Sequence, residues 1–338
     1  MTQKQRIDAF VTLGKLLASD QEKTERILQQ ASIKNPWYTM ENTKKQFQAL
    51  SSNLTSEKLM RWVALYPAIQ NDQIVGLILA GNIPLAGFHD ILCVLIAGFN
   101  AQIKLSSDDA GLTTFVLHEL IEIEPAFAKK IQIVDRLQQY DLIIATGSNN
   151  SSRYFDYYFG RKPHIIRKNR NSMAILTGTE SPEQLKALGF DIFDYFGLGC
   201  RSVSKLYIPR HYNFNAFFEA IEDFNVVKEH YKYVNNYDYN KSIYLINGDK
   251  HLDNGFMLLK EDMRFASPLA TVFYEEYDQI HEIADQLEAQ ADKIQCIVTE
   301  TTIETSIPTF SLGNSQCPSL TDYADGVDVL EFLFRHNK

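Results

Sequence analysis

The sequence predicts an α/β protein in two units, the first built on a parallel sheet covered on both faces, and three observations carry that prediction. The 338 residues suffice for two domains of ordinary size, each with its own apolar core. From Ile74 onward, short apolar runs bounded by Gly, Asn and Ser alternate with amphipathic stretches, the texture of strands joined by helices. Near Asn171 the alternation starts again, with SMAIL as a strand and SPEQLKAL as a helix.

In chain order, residues 1–70 read as a helical lead-in rich in Gln, Lys and Glu, suited to packing or assembly. Thr55, ahead of Glu57 and the apolar Leu59, Trp62, Val63 and Leu65, marks one helix start. Residues 71–170 hold IVGLILA as a buried strand, a turn, and ILCVLIAG as a buried helix, followed by AQIKL, TTFVLHELI, IQIV, DLIIAT and SSRYFDYYF. Strands buried on both faces read as such near-continuous apolar runs. Residues 171–338 form the second unit. There Ser181, Pro182 and Gln184 make an N-cap, a first helical position and a capping box, for a helix expected to end near Gly189. KLYIP reads as a strand, and FFEAIEDFNVVKEHYKYVNNYDYN as one or two helices with aromatic residues in the core.

A net charge of −9 disfavours a nucleic-acid partner, because such proteins carry a basic face. Cys93, Cys200, Cys296 and Cys317 lie far apart, with no CxxC and no Cys/His metal spacing. That predicts free thiols in a reducing cytoplasm, with neither a disulfide framework nor a metal site. The N-terminal stretch lacks the unbroken apolar core of a signal peptide. The most apolar stretch, IVGLILAGNIPLAGFHDILCVLIAGF, is interrupted by Asn82, Pro84, His89 and Asp90, so no membrane span is expected.

Open α/β sheets bind ligands beyond the carboxyl ends of their strands, and several polar residues fall there. Asn82, in AGNIPLAG, either offers its amide to an oxyanion or caps the helix that Pro84 and Leu85 would open. Lys104, ending AQIKL, either reaches a ribose or phosphate or is a solvated surface lysine. Gly147-Ser148, between DLIIAT and a helix, either meets a phosphate or is an ordinary turn. Cys200 stands in DYFGLGCRSVSKLYIP, where Gly197 and Gly199 free the backbone, which suits either an exposed nucleophile or a small buried cysteine.

In this order and spacing the four features resemble the aldehyde dehydrogenase superfamily. GNIPLAGFHDILCVLIAG, LIIATGSNNSSRYF, FGLGCRSVSKLYIP and SLGNSQCPSLTDYADGVDVLEFL resemble more closely the LuxC-type fatty acyl-CoA reductases, over Asn71 to Leu333. The resemblance implies an aldehyde-dehydrogenase-like fold: a Rossmann-type parallel-sheet cofactor domain in residues 71–170 and an α/β catalytic cysteine domain in 171–338. It makes Cys200 the nucleophile and gives the oxyanion to Asn82 and the backbone N–H of Cys200. It places Lys104 on the adenosine ribose and the Gly147-Ser148 turn on the pyrophosphate. Ser107 stands where aldehyde-oxidising members commonly carry an acidic residue for the ribose hydroxyls. The exchange favours NADPH over NADH, a preference tempered by the neighbouring Asp108.

Oxidising members also carry an upstream glutamate that activates water. Arg161 through Thr179 contains no carboxylate, so an acyl-enzyme would persist long enough to accept hydride. The activity implied is NADPH-dependent reduction of a long-chain fatty acyl-CoA to the aldehyde through an acyl-Cys200 thioester. Its donor is acyl-CoA or an acyl carrier protein thioester, and the assembly a homo-oligomer. His89 and His251 are candidates to protonate the leaving thiolate. A cysteine acyltransferase or thioesterase without hydride transfer, and a non-catalytic assembly partner, are the competing readings.

Overall fold

Two sheets organise the chain, and each gathers the apolar runs of its own unit. The computed structural model describes residues 1–67 and 72–337, without the side chain of Asn149. The expected boundary between lead-in and cofactor domain, at residues 70 and 71, lies outside the described residues. One unit comprises Met1–Asn169, Ser319–Tyr323 and Val327–Lys338; the other comprises Arg170–Pro318 and Ala324–Gly326.

The first unit opens with α1 (Gln3–Leu17), α2 (Glu22–Lys34), α3 (Met40–Asn53) and α4 (Ser56–Val63), the last capped by Thr55, whose hydroxyl accepts from the Lys58 N–H. There follow β1 (Ile74–Ile78), α5 (Phe88–Ala97), β2 (Asn100–Lys104), α6 (Leu112–Ile123), β3 (Ile131–Ile133), β4 (Leu142–Thr146), α7 (Asn149–Phe159) and β5 (His164–Arg167). The strands form a parallel sheet in the order β3-β2-β1-β4-β5. The lead-in is not separate from this sheet: Phe10, Leu13, Leu28 and Trp62 share one core with Val75, Leu92 and Ile103.

A parallel crossover usually takes a dozen or more residues, most often through a helix. From β3 to β4 the chain manages with residues 134–141 and no helix. Gly76 on β1 makes room for this strap, since a Cβ there would stand 3.0 Å from Leu137 Cδ1 and 3.3 Å from Tyr140 Cγ. Gln102 on β2 anchors it by accepting the Gln138 N–H at 2.5 Å.

The second unit contains β6 (Asn171–Ile175), α8 (Pro182–Phe193), β7 (Val203–Pro209), α9 (Phe214–Ala220), α10 (Tyr231–Asn247), β8 (Leu252–Asp253), β9 (Leu258–Glu261), β10 (Thr271–Tyr277), α11 (Ile280–Glu288), β11 (Ile294–Val298) and β12 (Thr309–Phe310). Its sheet runs β12-β11-β6-β7-β10-β9-β8, parallel except for the β8–β9 pair. The Ser181 capping box forms as the sequence predicts. The helix does not end near Gly189, however, but runs to Phe193. Gly189 serves close packing, because a Cβ there would stand 2.2 Å from the Phe224 ring. The last helix, α12 (Val329–Arg335), packs on α5 of the first unit by burying Val329, Leu330 and Leu333, although the sequence boundary at 171 groups it with the second.

Candidate functional site

The register Ile78↔Lys104 and Ile78↔Ala145 brings the ends of β1, β2 and β4 level, so Asn82, Lys104, Ser107 and Gly147-Ser148 share one edge of the first sheet. Asn82 is exposed in the turn after β1. It does not cap the next helix, which begins at Phe88 with Gly87 as N-cap, because Pro84 to Gly87 form a turn in which Leu85 takes φ 53°. The loop around Asn82 is held from the lead-in. Buried Tyr38 places its hydroxyl 2.8 Å from the Gly81 carbonyl and 3.1 Å from that of Ile83, donating to them.

The Lys104 side chain is exposed and makes no ion pair among the described residues, and Ser107 is exposed beside it. Gly147 gives its N–H to the Arg167 carbonyl (3.3 Å), and the Ser148 hydroxyl accepts the Ser151 N–H as N-cap of α7 (3.2 Å). What this turn offers an anion is therefore the positive end of α7. Glycine is required at 147 because a Cβ would stand 2.7 Å from the Phe155 ring.

The end of β5 carries no carboxylate. Arg167 occupies it and pairs with Asp90 of α5 at 2.5 Å, the two side chains only 6% and 7% exposed. The His89 ring is engaged, with Nε2 3.0 Å from the Leu320 carbonyl and Nδ1 3.8 Å from Cys93 Sγ. His251 is turned to the Asp249 carbonyl, 2.8 Å from Nδ1. Each imidazole thus has one ring nitrogen beside a backbone carbonyl.

In the second unit, Cys200 is exposed, against the alternative of a small buried cysteine. It follows three residues in the left-handed region: Tyr195 (φ 53°), Phe196 (φ 58°) and Gly197 (φ 76°). For Tyr and Phe this conformation costs about 1–2 kcal/mol each, and burial of both rings holds it, with Phe196 against His230 at 4.3 Å between centroids. Strained backbone of this kind clusters at reactive sites. Of the two glycines that the sequence offers, only Gly197 uses a positive φ.

Cys200 then sits in a turn closed by the Ser202 N–H on the Gly199 carbonyl (3.0 Å) and the Gly199 N–H on the Ser202 hydroxyl (3.2 Å). Its carbonyl accepts from the buried Ser172 hydroxyl of β6 at 2.9 Å. Arg201 stacks over the Phe310 ring, 5.4 Å from its centroid. Cys317 is also exposed, whereas Cys93 and Cys296 are buried; burial pushes both of the latter thiols up, Cys296 to about 11.

Solved structures align with this chain over most of its length. Aldehyde dehydrogenase 21 from Physcomitrella patens, solved with the reaction product succinate, matches at a TM-score of 0.75 and 12% identity, covering 100% of this chain and 85% of that one. An NAD-dependent benzaldehyde dehydrogenase from Corynebacterium glutamicum matches at 0.70 and 13%, covering 94% and 83%. An NADP-dependent enzyme from E. coli matches at 0.69 and 13%, covering 90% and 74%. The fold is that of the aldehyde dehydrogenases. No protein-family model matches the chain, and no curated protein does.

Several residues that support the candidate positions of this aldehyde dehydrogenase fold escape a reading of the sequence. Tyr38, Ser172, Asp191 and Gln316 lie far along the chain from the groups that they hold, and no local motif marks them. The stretch SLGNSQCPSL is visible as part of a resemblance, but its contacts are not. No helix among the described residues is long and apolar enough to cross a membrane.

Proposed function

We propose that this chain reduces a fatty acyl thioester to the aldehyde, as LuxC-type acyl-CoA reductases do, using Cys200 as nucleophile and NADPH in preference to NADH. The observation that carries the reading is the exposed Cys200 thiol just beyond a strained backbone segment within an aldehyde dehydrogenase fold. Reduction rather than oxidation is favoured because the end of β5 bears an ion-paired arginine and no carboxylate to activate water. The carboxyl edge of the first sheet suits a dinucleotide: Lys104 offers an ammonium group without an ion pair among the described residues, and α7 offers its positive end. Lys104, Ser107 and the Gly147-Ser148 turn would hold the cofactor, which when bound supplies the hydride. Arg136, exposed on the strap after β3, lines a recess of about 390 Å3 with Gln102, Gln132 and Asp135.

The Cys200 thiolate attacks the thioester carbonyl carbon. The bond to the CoA sulfur breaks, CoA leaves and takes up a proton, and the acyl group stays on Cys200. The Asn82 amide donates to the oxyanion formed on attack and again to the one formed on reduction, which collapses to aldehyde and free thiolate. Removing that amide in Asn82→Ala lowers turnover by about 10²–10³, the scale for one oxyanion donor. NADPH absorbance followed with acyl-CoAs of increasing chain length, with NADH in parallel, tests the reading. Consumption dependent on acyl-CoA is expected, and its absence at every chain length sinks the proposal.

A further inference from the structure

The turn that carries Cys200 is supported from a segment more than a hundred residues away. Gln316, only 7% exposed, reaches the Ser202 hydroxyl with Nε2 at 3.3 Å, and that hydroxyl is the one accepting the Gly199 N–H. The loop leading to Gln316 is itself nailed down by Asp191 of α8. Asp191 is fully buried, with 0% exposure; Oδ2 accepts the Gly313 N–H at 2.5 Å, and Oδ1 accepts the Ser315 N–H at 2.9 Å and hydroxyl at 2.6 Å. Gly313 takes φ +85°, and a Cβ there would stand 3.0 Å from Ala187 Cβ, so the loop backbone lies directly on α8. Glu300 adds a further anchor by accepting the Leu312 N–H at 2.9 Å.

A buried carboxylate needs compensation, and Asp191 makes no ion pair among the described residues. Three donors of one short loop supply it instead. Such an arrangement fixes the loop far more closely than apolar packing would, and what the loop delivers beyond Asp191 is the Gln316 amide. We infer that Asp191 and Gln316 are positioning residues for Cys200, acting through Ser202 to hold the nucleophile turn. The inference rests on the reading of Cys200 as nucleophile. Neither residue touches a reacting atom; their effect is on how often the thiol stands in its reactive orientation, where a small misplacement is costly in rate.

Cys317, exposed on the same loop, provides an internal reference. Native protein is pulsed with iodoacetamide, and the rates at Cys200 and Cys317 are read separately by peptide mass; acylation of Cys200 by an acyl-CoA without cofactor is timed alongside. Gln316→Met keeps the volume and removes the amide. It is expected to slow both reactions at Cys200 by roughly three- to tenfold, the value of one hydrogen bond, while Cys317 reacts at least as fast as before. In turnover the loss is expected in kcat with the KM for acyl-CoA unchanged, and Gln316→Asn with its shorter arm does not rescue it. Asp191→Asn, which turns a donor toward the Gly313 N–H, is expected to act in the same direction. If Asp191→Asn does not fold, Gln316→Met decides alone. Wild-type rates at Cys200 in folded Gln316→Met overturn the inference. Failure of wild-type Cys200 to be acylated overturns the nucleophile reading instead, so the two failures are distinguishable.

Discussion

The Ser172 hydroxyl lies 3.1 Å from the sulfur of Cys296, its register partner on β11, and donates at 2.9 Å to the carbonyl of Cys200. One buried hydroxyl thus touches an enclosed thiol and the backbone of a solvent-open one. The two cysteines differ in surroundings, not in kind: Cys296 has no exposed surface and Cys200 is open to solvent.

From that contrast, native protein treated with iodoacetamide is expected to be modified at Cys200 and Cys317, with Cys93 and Cys296 reacting only after unfolding. Burial raises the Cys296 thiol from 9.0 to about 11, with the Arg201 charge opposing. A raised folded value means that the stabilisation is fully present below the ordinary value and is lost as pH rises toward the folded one. Urea unfolding at about pH 8 and about pH 10 is therefore expected to show a smaller decline for Cys296→Ala than for wild type. An equal decline in both proteins refutes the contribution of Cys296.

The Arg167–Asp90 pair is nearly dry on both sides. Asp90→Asn removes the carboxylate charge that faces the buried Arg167 guanidinium, and a cost of about 3–5 kcal/mol in unfolding free energy is expected. Asp90→Asn with Arg167→Met is expected to recover most of it, since removing both charges also removes the desolvation cost. A denaturant midpoint for Asp90→Asn equal to that of wild type contradicts the burial of this pair.

Much of this was legible from residues alone. The runs from Ile74 to Thr146 became the expected parallel strands and helices because strands buried on both faces leave an apolar signature. Thr55 and Ser181 cap helices because a cap acts over three residues. Gly189 misled because glycine signals both helix ends and close packing, and the Phe224 ring that decides between them is remote in sequence. The left-handed Tyr195 and Phe196 ran against their own preferences and were hidden for that reason. The sheet edge carrying Asn82, Lys104 and Gly147 could be read from strand ends, while Tyr38, which holds the Asn82 loop, could not, since a hydrogen bond across 43 residues leaves no local pattern.

Cofactor preference is expected to turn on the loop after β2. Lys104→Ala removes an ammonium group with no ion pair among the described residues, so it should raise the cofactor Kd with little change in stability. Ser107→Glu places a carboxylate where the proposed ribose phosphate would lie and should weaken NADPH more than NADH. Fluorescence titration with both cofactors measures this directly. An unchanged ratio in Ser107→Glu shows that Ser107 does not face the ribose.

The lack of a carboxylate from Arg161 to Thr179, with Arg167 tied to Asp90 at the end of β5, bears on what becomes of an acyl group once transferred. Attack by Cys200 and release of CoA require no hydride. Protein mixed with acyl-CoA alone should therefore gain the mass of one acyl group, and peptide mapping should place it on Cys200. Cys200→Ala should gain none and lose all reduction, whereas Cys317→Ala should keep both. Without a base to activate water, the adduct should decay slowly to free acid, and added NADPH should discharge it rapidly as aldehyde. Rapid release of free fatty acid with no NADPH present would mean that another residue activates water, and the hydrolytic reading would then replace the reductive one.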